Sequence, residues 1–131
     1  MEINKQKLVK QCYELIEAYK SGLLGDITMP EDSHPDFAGI QSEIQLSYFT
    51  FPMALNYQRN SYKLWISAKQ TFEDCNTKTV FDIAEARELS IEDLKVILLK
   101  YKLALQPNKH THTWQNLVRT IYSEYGSLYN F

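Results

Sequence analysis

The sequence contains few of the residues that build loops and tight turns, with only 4 Gly and 4 Pro among 131 residues. This scarcity argues against a loop-rich or all-β architecture. Apolar residues recur at helical spacings instead, which predicts an all-α fold, an orthogonal bundle of five to seven helices. We expect a single domain with an N-terminal helix in residues 1–25, an acidic connector over 26–39 and a half-bundle over 40–131.

Long apolar runs are also missing, and cysteine is rare. No run approaches the roughly 20 residues that cross a bilayer, and the first residues lack the apolar segment of a signal peptide. The two cysteines, Cys12 and Cys75, have no close-spaced partner. They predict buried free thiols in a reducing compartment rather than a disulfide or a metal site. We therefore expect a cytoplasmic protein with no membrane partner.

Two long segments lack acidic residues, although the whole chain has a formal net charge of -2. Residues 44–72 contain Arg59, Lys63 and Lys69 but no Asp or Glu. Residues 94–123 are also free of acids, and they carry Lys95, Lys100, Lys102, Lys109, His110, His112 and Arg119. Two such segments can fold into one positive face, which is what phosphate binding needs. The alternative is chance patterning on a solvated surface.

The first half of the chain predicts three or four helices. In the amphipathic first helix, apolar residues recur at spacings of three and four: Leu8, Cys12, Leu15, Ile16 and Tyr19. Gly22 and Gly25 are the predicted stop for this helix. A second helix is predicted over 40–49. Thr50 is the predicted cap of a helix that holds Pro52 in its first turn, and a further helix is predicted over 61–72.

In the second half, capping residues mark the helix boundaries. Asp82 is a candidate cap for a short helix, and Ser90 begins a sequence that resembles a capping box. Pro107 is predicted to break the helix before it, and Asn108 is predicted to cap the last helix. Gly126 is the predicted end of that helix.

The most informative stretch, residues 51–65, places a polar cluster between two apolar helical segments. Three carboxamides, Asn56, Gln58 and Asn60, adjoin Arg59. Amides donate and accept hydrogen bonds at once, which suits contact with the edge of a base. The alternative is that these side chains cap helices at a kink.

No motif in the sequence indicates a metal, a cofactor or a catalytic nucleophile. There is no Gly-rich phosphate loop, no His-Glu-x-x-His pair and no Cys-x-x-Cys. His110 and His112 stand two apart, which places them on different sides of a helix. Trp65, Trp114 and most of the nine tyrosines fall on helical apolar stripes and are predicted to lie in the core. We expect no catalytic residue, metal or cofactor in this chain.

Two segments carry a resemblance to a known family. Residues 51–65 and 100–110, together with Trp114, resemble the N-terminal helical half of the helix-hairpin-helix (HhH-GPD) DNA glycosylase superfamily. The likeness covers roughly residues 45–130 and is closest to endonuclease-III-like base-excision proteins with an iron–sulfur cluster loop. In that superfamily a Gln enters the duplex where the damaged nucleotide has been extruded. Gln58 looks like its counterpart.

The chain departs from the family at the catalytic hairpin. The Gly-x-Gly turn, the catalytic Lys and Asp and the four cluster cysteines would lie beyond Phe131, so we do not expect this chain alone to be catalytic. A 4Fe-4S cluster is implied only for a longer parent protein. The chain is then a fragment, a half-domain that needs a partner, or a derivative with a non-enzymatic role.

The resulting functional prediction is a helical half-domain of a base-excision-repair glycosylase-like protein that binds double-stranded DNA. Its predicted DNA contacts are Asn56, Gln58, Arg59, Asn60, Lys63, Lys102, Gln106, Asn108, Lys109 and His110. The prediction requires the 56–60 and 107–109 corners to meet on one electropositive surface. The alternative is a non-enzymatic protein-interaction module that docks a second subunit or a second copy of itself.

Overall fold

The computed structural model describes residues 4–25 and 28–131, and within these ranges the protein is all-helical. The six α-helices of the described residues are α1 (Lys5–Lys20), α2 (Ser42–Thr50), α3 (Ser61–Glu73), α4 (Ile83–Ala86), α5 (Ile91–Lys100) and α6 (Pro107–Thr120). Short 3-10 turns occur at Pro30–Asp32, Pro52–Leu55 and Lys78–Phe81, and a π-helical turn, Ile121–Tyr125, extends α6. The predicted all-α bundle is confirmed. Across these same ranges, no helix has the length and apolar character needed to cross a bilayer.

Aromatic side chains form the centre of the core. Tyr48, Phe81 and Trp114 are fully buried, and Trp65 is nearly so. The Phe81 ring lies 5.4 Å from Tyr48 and 5.7 Å from Trp114, centroid to centroid. The Trp114 indole donates to the Val80 carbonyl at 3.2 Å, so the polar atom of this buried indole is satisfied. The prediction that both tryptophans are core residues is confirmed.

Three predicted helix starts are confirmed by their capping bonds. The side chains of Asn60, Asp82 and Ser90 accept backbone N–H groups in the first turns of α3, α4 and α5. Gly126 ends the last helical segment with a left-handed φ of 76°. In each case the bond joins residues two to five apart, which is why the sequence alone was sufficient.

Two other boundary predictions are wrong. Asn108 does not cap α6, because that helix begins one residue earlier at Pro107 with Gln106 at the cap position. Proline fits the first helical position, since its missing N–H has no partner there. Thr50 lies inside α2 rather than before a new helix, and Pro52 begins a 3-10 turn.

The predicted connector is partly packed against the core. Its first two residues, Asp26 and Ile27, lie outside the described residues, as do residues 1–3 of the N-terminal segment. Pro35 is buried, and the Phe37 ring lies 5.3 Å from Tyr48. The expected acidic connector is therefore not exposed along its whole length, because Pro35 and Phe37 reach the core.

The predicted burial of the cysteines and tyrosines is largely wrong. Cys12 and Cys75 are both exposed. Among the tyrosines, Tyr48 is buried and Tyr101 is partly buried, whereas Tyr13, Tyr19, Tyr57, Tyr62, Tyr122, Tyr125 and Tyr129 are exposed. Several of these exposed rings lie on apolar stripes that nothing covers, and α1 has no buried residue at all.

Candidate functional site

Arg59 joins the amide turn, residues 56–60, to the α5–α6 turn, residues 101–106. Its Nη1 donates to the Leu103 carbonyl at 2.6 Å, and its Nη2 donates to the Lys102 carbonyl at 3.1 Å. These bonds span 44 and 43 residues of sequence, so they fix two distant corners against each other. Burial lowers the pKa of the guanidinium, which nevertheless stays ionised at neutral pH.

Both turns contain a non-glycine residue in the left-handed backbone region. Gln58 has φ of 51° and Lys102 has φ of 59°, the two such cases in the described part of the chain. This conformation costs about 1–2 kcal/mol for a residue with a side chain. Both side chains are exposed. Gln58 directly precedes Arg59 in the sequence, and the backbone carbonyl of Lys102 accepts a hydrogen bond from Arg59. Strain of this kind persists where surrounding contacts enforce it, and it is concentrated at functional sites.

The two asparagines of the amide turn are used by the fold. The Asn56 side chain accepts from the Ser61 hydroxyl at 2.9 Å, and Asn60 accepts from the Lys63 backbone N–H at 3.1 Å. Capping, the alternative interpretation of this cluster, is thus correct for Asn60, whereas Asn56 bonds a side-chain hydroxyl rather than a backbone group. Gln58 differs, because it extends from the tip of the turn and is exposed.

His110 lies beneath the α5–α6 turn and is 7% exposed. Its Nδ1 accepts backbone N–H groups from Leu105 at 3.0 Å and Gln106 at 3.3 Å. A protonated Nδ1 could not accept, so the ring is neutral and carries its proton on Nε2. Burial lowers the pKa of His110 most, and the charges of Arg59 and Lys109 lower it further. Both predicted corners therefore place a cation near this ring.

A groove of about 290 Å³ opens between α3 and the α5–α6 turn. Three of its lining side chains are cations: Arg59, Lys63 and Lys102. The others are polar or apolar, and none is acidic: Asn60, Ile66, Ser67, Gln70, Tyr101 and Leu105. The groove thus combines an apolar floor with positive charge, which suits an anionic ligand that also has apolar surface.

The acids next to the groove are paired with lysines. Asp74 Oδ2 accepts from Lys100 Nζ at 2.6 Å and from the Tyr101 hydroxyl at 2.7 Å. These two hydrogen bonds hold the pKa of Asp74 down to about 2. Glu73 lies 3.9 Å from Lys69 Nζ. Because each carboxylate has a cation beside it, the free charge at the groove comes from Lys63 and Lys102.

The structure brings most of the predicted site residues together, but not all in the predicted role. Arg59 and His110 bind backbone groups of the protein, so they hold the turns in place rather than extend into solvent. Asn108 turns toward α5, where it accepts from Lys95 Nζ at 3.1 Å. Gln106 and Lys109 are exposed at the start of α6.

Sequence reasoning predicted Lys63 but missed the rest of the α3 wall and the end of the groove. Ile66, Ser67 and Gln70 follow Lys63 at i+3, i+4 and i+7 on one helical face, and this pattern could have identified the α3 wall. Tyr101 and Leu105 had no comparable signal, because they lie in a turn whose position depends on Arg59.

No family model, no curated protein and no solved structure matches this chain. The likeness to the helix-hairpin-helix glycosylases therefore stays a prediction from the residues that carry it.

Proposed function

We propose that this domain binds the phosphate backbone of double-stranded DNA at the groove and at the two turns beside it. One observation carries the proposal: the paired hydrogen bonds from Arg59 to the Lys102 and Leu103 carbonyls. They bring two acid-free segments of the chain to a common surface, with Lys63 on one side and Lys102 on the other. Lysines, amides and backbone N–H groups are the usual partners of phosphate oxygens.

The helices that begin at this surface support an anionic ligand. α3 and α6 have no acid in their first turns and carry Lys63 and Lys109 there. By contrast, α5 has Glu92 and Asp93 in its first turn. A helix N-terminus attracts negative charge. A bound phosphate would therefore supply the negative charge that the first turns of α3 and α6 lack.

Gln58 supports a more specific form of the proposal, in which the domain distinguishes damaged from intact duplex. Its side chain is exposed at the tip of the amide turn, on a backbone held at a φ of 51°. A planar carboxamide can fill the space that a missing or extruded base leaves, which offsets part of the cost of unstacking. The proposal that this domain is part of a base-excision glycosylase-like protein rests on Gln58 and on the resemblance of residues 51–65 and 100–110 to that superfamily.

The salt dependence of DNA binding tests the proposal. Fluorescence anisotropy with a labelled duplex would give the dissociation constant across about 50–200 mM salt, where phosphate-driven binding weakens steeply. The variant Lys63→Gln/Lys102→Gln removes two free cations of the groove. We expect it to bind more weakly and to lower the salt slope by about 2, since each lost phosphate contact contributes about 0.9.

A matched control removes the same charge elsewhere. The variant Lys10→Gln/Lys20→Gln alters two exposed lysines of α1, each beside a glutamate of the same helix. We expect its affinity and slope to stay near those of the natural protein. Equal losses in both variants, or no binding at the lowest salt concentration, would reject the groove as a DNA site.

The second expectation from the sequence, a protein-interaction module, also has one observation in its favour. The amphipathic helix α1 has no buried residue, although its apolar face includes Leu15 at 61% exposure and Ile16 at 47%. An apolar helical face of this kind is typical of a surface that docks another chain. This function does not compete with DNA binding, because α1 and the groove share no residue.

A further inference from the structure

The apolar face of α1 is exposed and takes no part in the proposed DNA site. All 16 residues of this helix are wholly or partly exposed, and none is buried. Its face continues past the helix end, where Leu23 is 81% exposed and Leu24 48%. Monomeric proteins rarely expose a continuous apolar stripe along a whole helix.

The apolar residues of α1 have the spacing of a two-helix seam. Leu8, Cys12, Leu15 and Tyr19 are separated by four, three and four residues, and Val9 and Ile16 widen the stripe on one side. This is the alternation by which one helix packs along another in a coiled coil. The lysines and glutamates of α1 lie off this stripe, apart from Lys5 at its end.

We infer that α1 pairs with α1 of a second copy of this chain, in an antiparallel arrangement. An antiparallel register that sets Leu8 against Tyr19 of the other copy also sets Cys12 against Leu15, so every residue of the seam meets an apolar partner. The same register is two-fold symmetric, as the contact between two identical helices requires.

The charges of α1 favour the antiparallel over the parallel direction of this pair. The first half of the helix carries Lys5, Lys7 and Lys10 and no acid, whereas the second half carries Glu14, Glu17 and Lys20. A parallel pair would set the three lysines beside three lysines. In the register above, an antiparallel pair sets the lysine-rich half beside the half that carries both glutamates, with Lys10 level with Glu17 and Lys7 level with Lys20. It also places the lysine-rich half beside the negative end of the partner's helix dipole.

The length of α1 sets the strength of the pair. Sixteen residues make a helix of about 24 Å, which allows only two heptads of contact. Such an interface falls below the roughly 1,200 Å² at which stable complexes begin, so the dimer dissociates on the order of 10–100 µM.

Sedimentation of the full chain at rising concentration tests this inference. We expect a monomer at low concentration and a dimer at high concentration. Leu15→Lys should remain monomeric throughout, whereas Gln6→Lys, which adds the same charge outside the stripe, should dimerise like the natural protein. Both positions are exposed, so neither change removes a core contact, and circular dichroism would verify the helix content.

Disulfide trapping distinguishes the two directions. In a background with Cys12→Ser and Cys75→Ser, the double variant Leu8→Cys/Tyr19→Cys should form covalent dimers under a mild oxidant. Leu8→Cys alone should not, because an antiparallel pair separates the two positions by about 16 Å along the helix axis. Covalent dimers from Leu8→Cys alone would overturn the antiparallel arrangement.

Two further results would overturn the pairing itself. One is a monomer at every concentration. The other is a monomer whose α1 binds vesicles of phosphatidylcholine and phosphatidylglycerol and loses that binding in Leu15→Lys, which would assign the stripe to a membrane surface. Neither result depends on the lysines of the groove, so failure here leaves the DNA proposal standing.

Discussion

The Leu103 carbonyl accepts a hydrogen bond from the Arg59 guanidinium at 2.6 Å, while the Leu103 side chain is fully buried in the core. One residue thus anchors the α5–α6 turn from both sides, through its side chain below and through its carbonyl above. The position of the groove depends on this relationship, because the Arg59 bonds hold the amide turn beside the turn that carries Lys102.

Removal of the Arg59 fork should loosen the groove without unfolding the protein. We expect Arg59→Ala to lower the free energy of unfolding by about 1.5–3 kcal/mol, the range for hydrogen bonds to a charged group. Arg59→Lys should recover only part of this loss, since an ammonium cannot reproduce the planar fork. Urea denaturation measures both variants, with Lys63→Ala as a control of nearly unchanged stability. A stability loss in Arg59→Lys as small as in the control would show that the fork is dispensable.

Two substitutions of Gln58 separate backbone strain from side-chain function. Gln58→Gly should stabilise the protein by about 0.5–1 kcal/mol, because glycine accepts the left-handed backbone without a steric cost. Gln58→Ala keeps the strain and should bring no such gain. Both variants lack the carboxamide, so both should lose preference for an abasic duplex over an intact one in a competition assay. A preserved preference in either variant would remove the proposed role of this side chain.

The neutral state of His110 should make the protein less stable below neutral pH. Burial and the charges of Arg59 and Lys109 lower the pKa of His110 below its ordinary value of 6.5, so the unfolded chain binds this proton more readily than the folded one. The stabilisation is therefore complete above pH 6.5 and is lost as the pH falls from there toward the lower folded value. Thermal unfolding between pH 8 and pH 5 would measure the loss.

The contribution of His110 can be isolated by comparison with the other histidine of α6. His110→Gln removes the titrating group, so its melting temperature should fall less between pH 8 and pH 5 than that of the natural protein. The variant should nevertheless be less stable overall. His112→Gln changes an exposed ring and should keep the fall of the natural protein. If both variants retain the same pH dependence, His110 is not its source.

Asp74 should give a second, separate loss of stability at acid pH. Its hydrogen bonds from Lys100 and Tyr101 lower its pKa from the ordinary 3.8 to about 2, so the folded state holds the charged form more tightly. This stabilisation is present above pH 3.8 and is lost as the pH falls toward 2. Denaturant titrations at several acid pH values should show it in the natural protein and in Glu92→Gln, but not in Asp74→Asn. An acid transition unchanged in Asp74→Asn would assign the loss to other carboxylates.

Much of the secondary structure could be predicted because its determinants are local. The caps at Asn60, Asp82 and Ser90 bind groups two or three residues away, and Gly126 ends its helix through its own backbone conformation. Trp114 was assigned correctly to the core because its helical stripe has to be buried somewhere.

The candidate site was only partly predictable for the same physical reason. The sequence indicated that Arg59 and Lys102 belong to acid-free segments, but it could not show that the guanidinium would bind a carbonyl more than forty residues away. It also could not show that Asn108 would turn to Lys95. Such partners are set by how the helices pack, and packing is not encoded in the spacing of nearby residues.

The sequence by itself determined an all-helical chain, an amphipathic α1 and two segments without acids. Tertiary structure alone decided that these segments meet through Arg59, that His110 is held neutral beneath their junction, and that α1 leaves its apolar face uncovered. The reason is that an apolar stripe or a run of lysines is the same string of residues whether the fold covers it or leaves it for a partner.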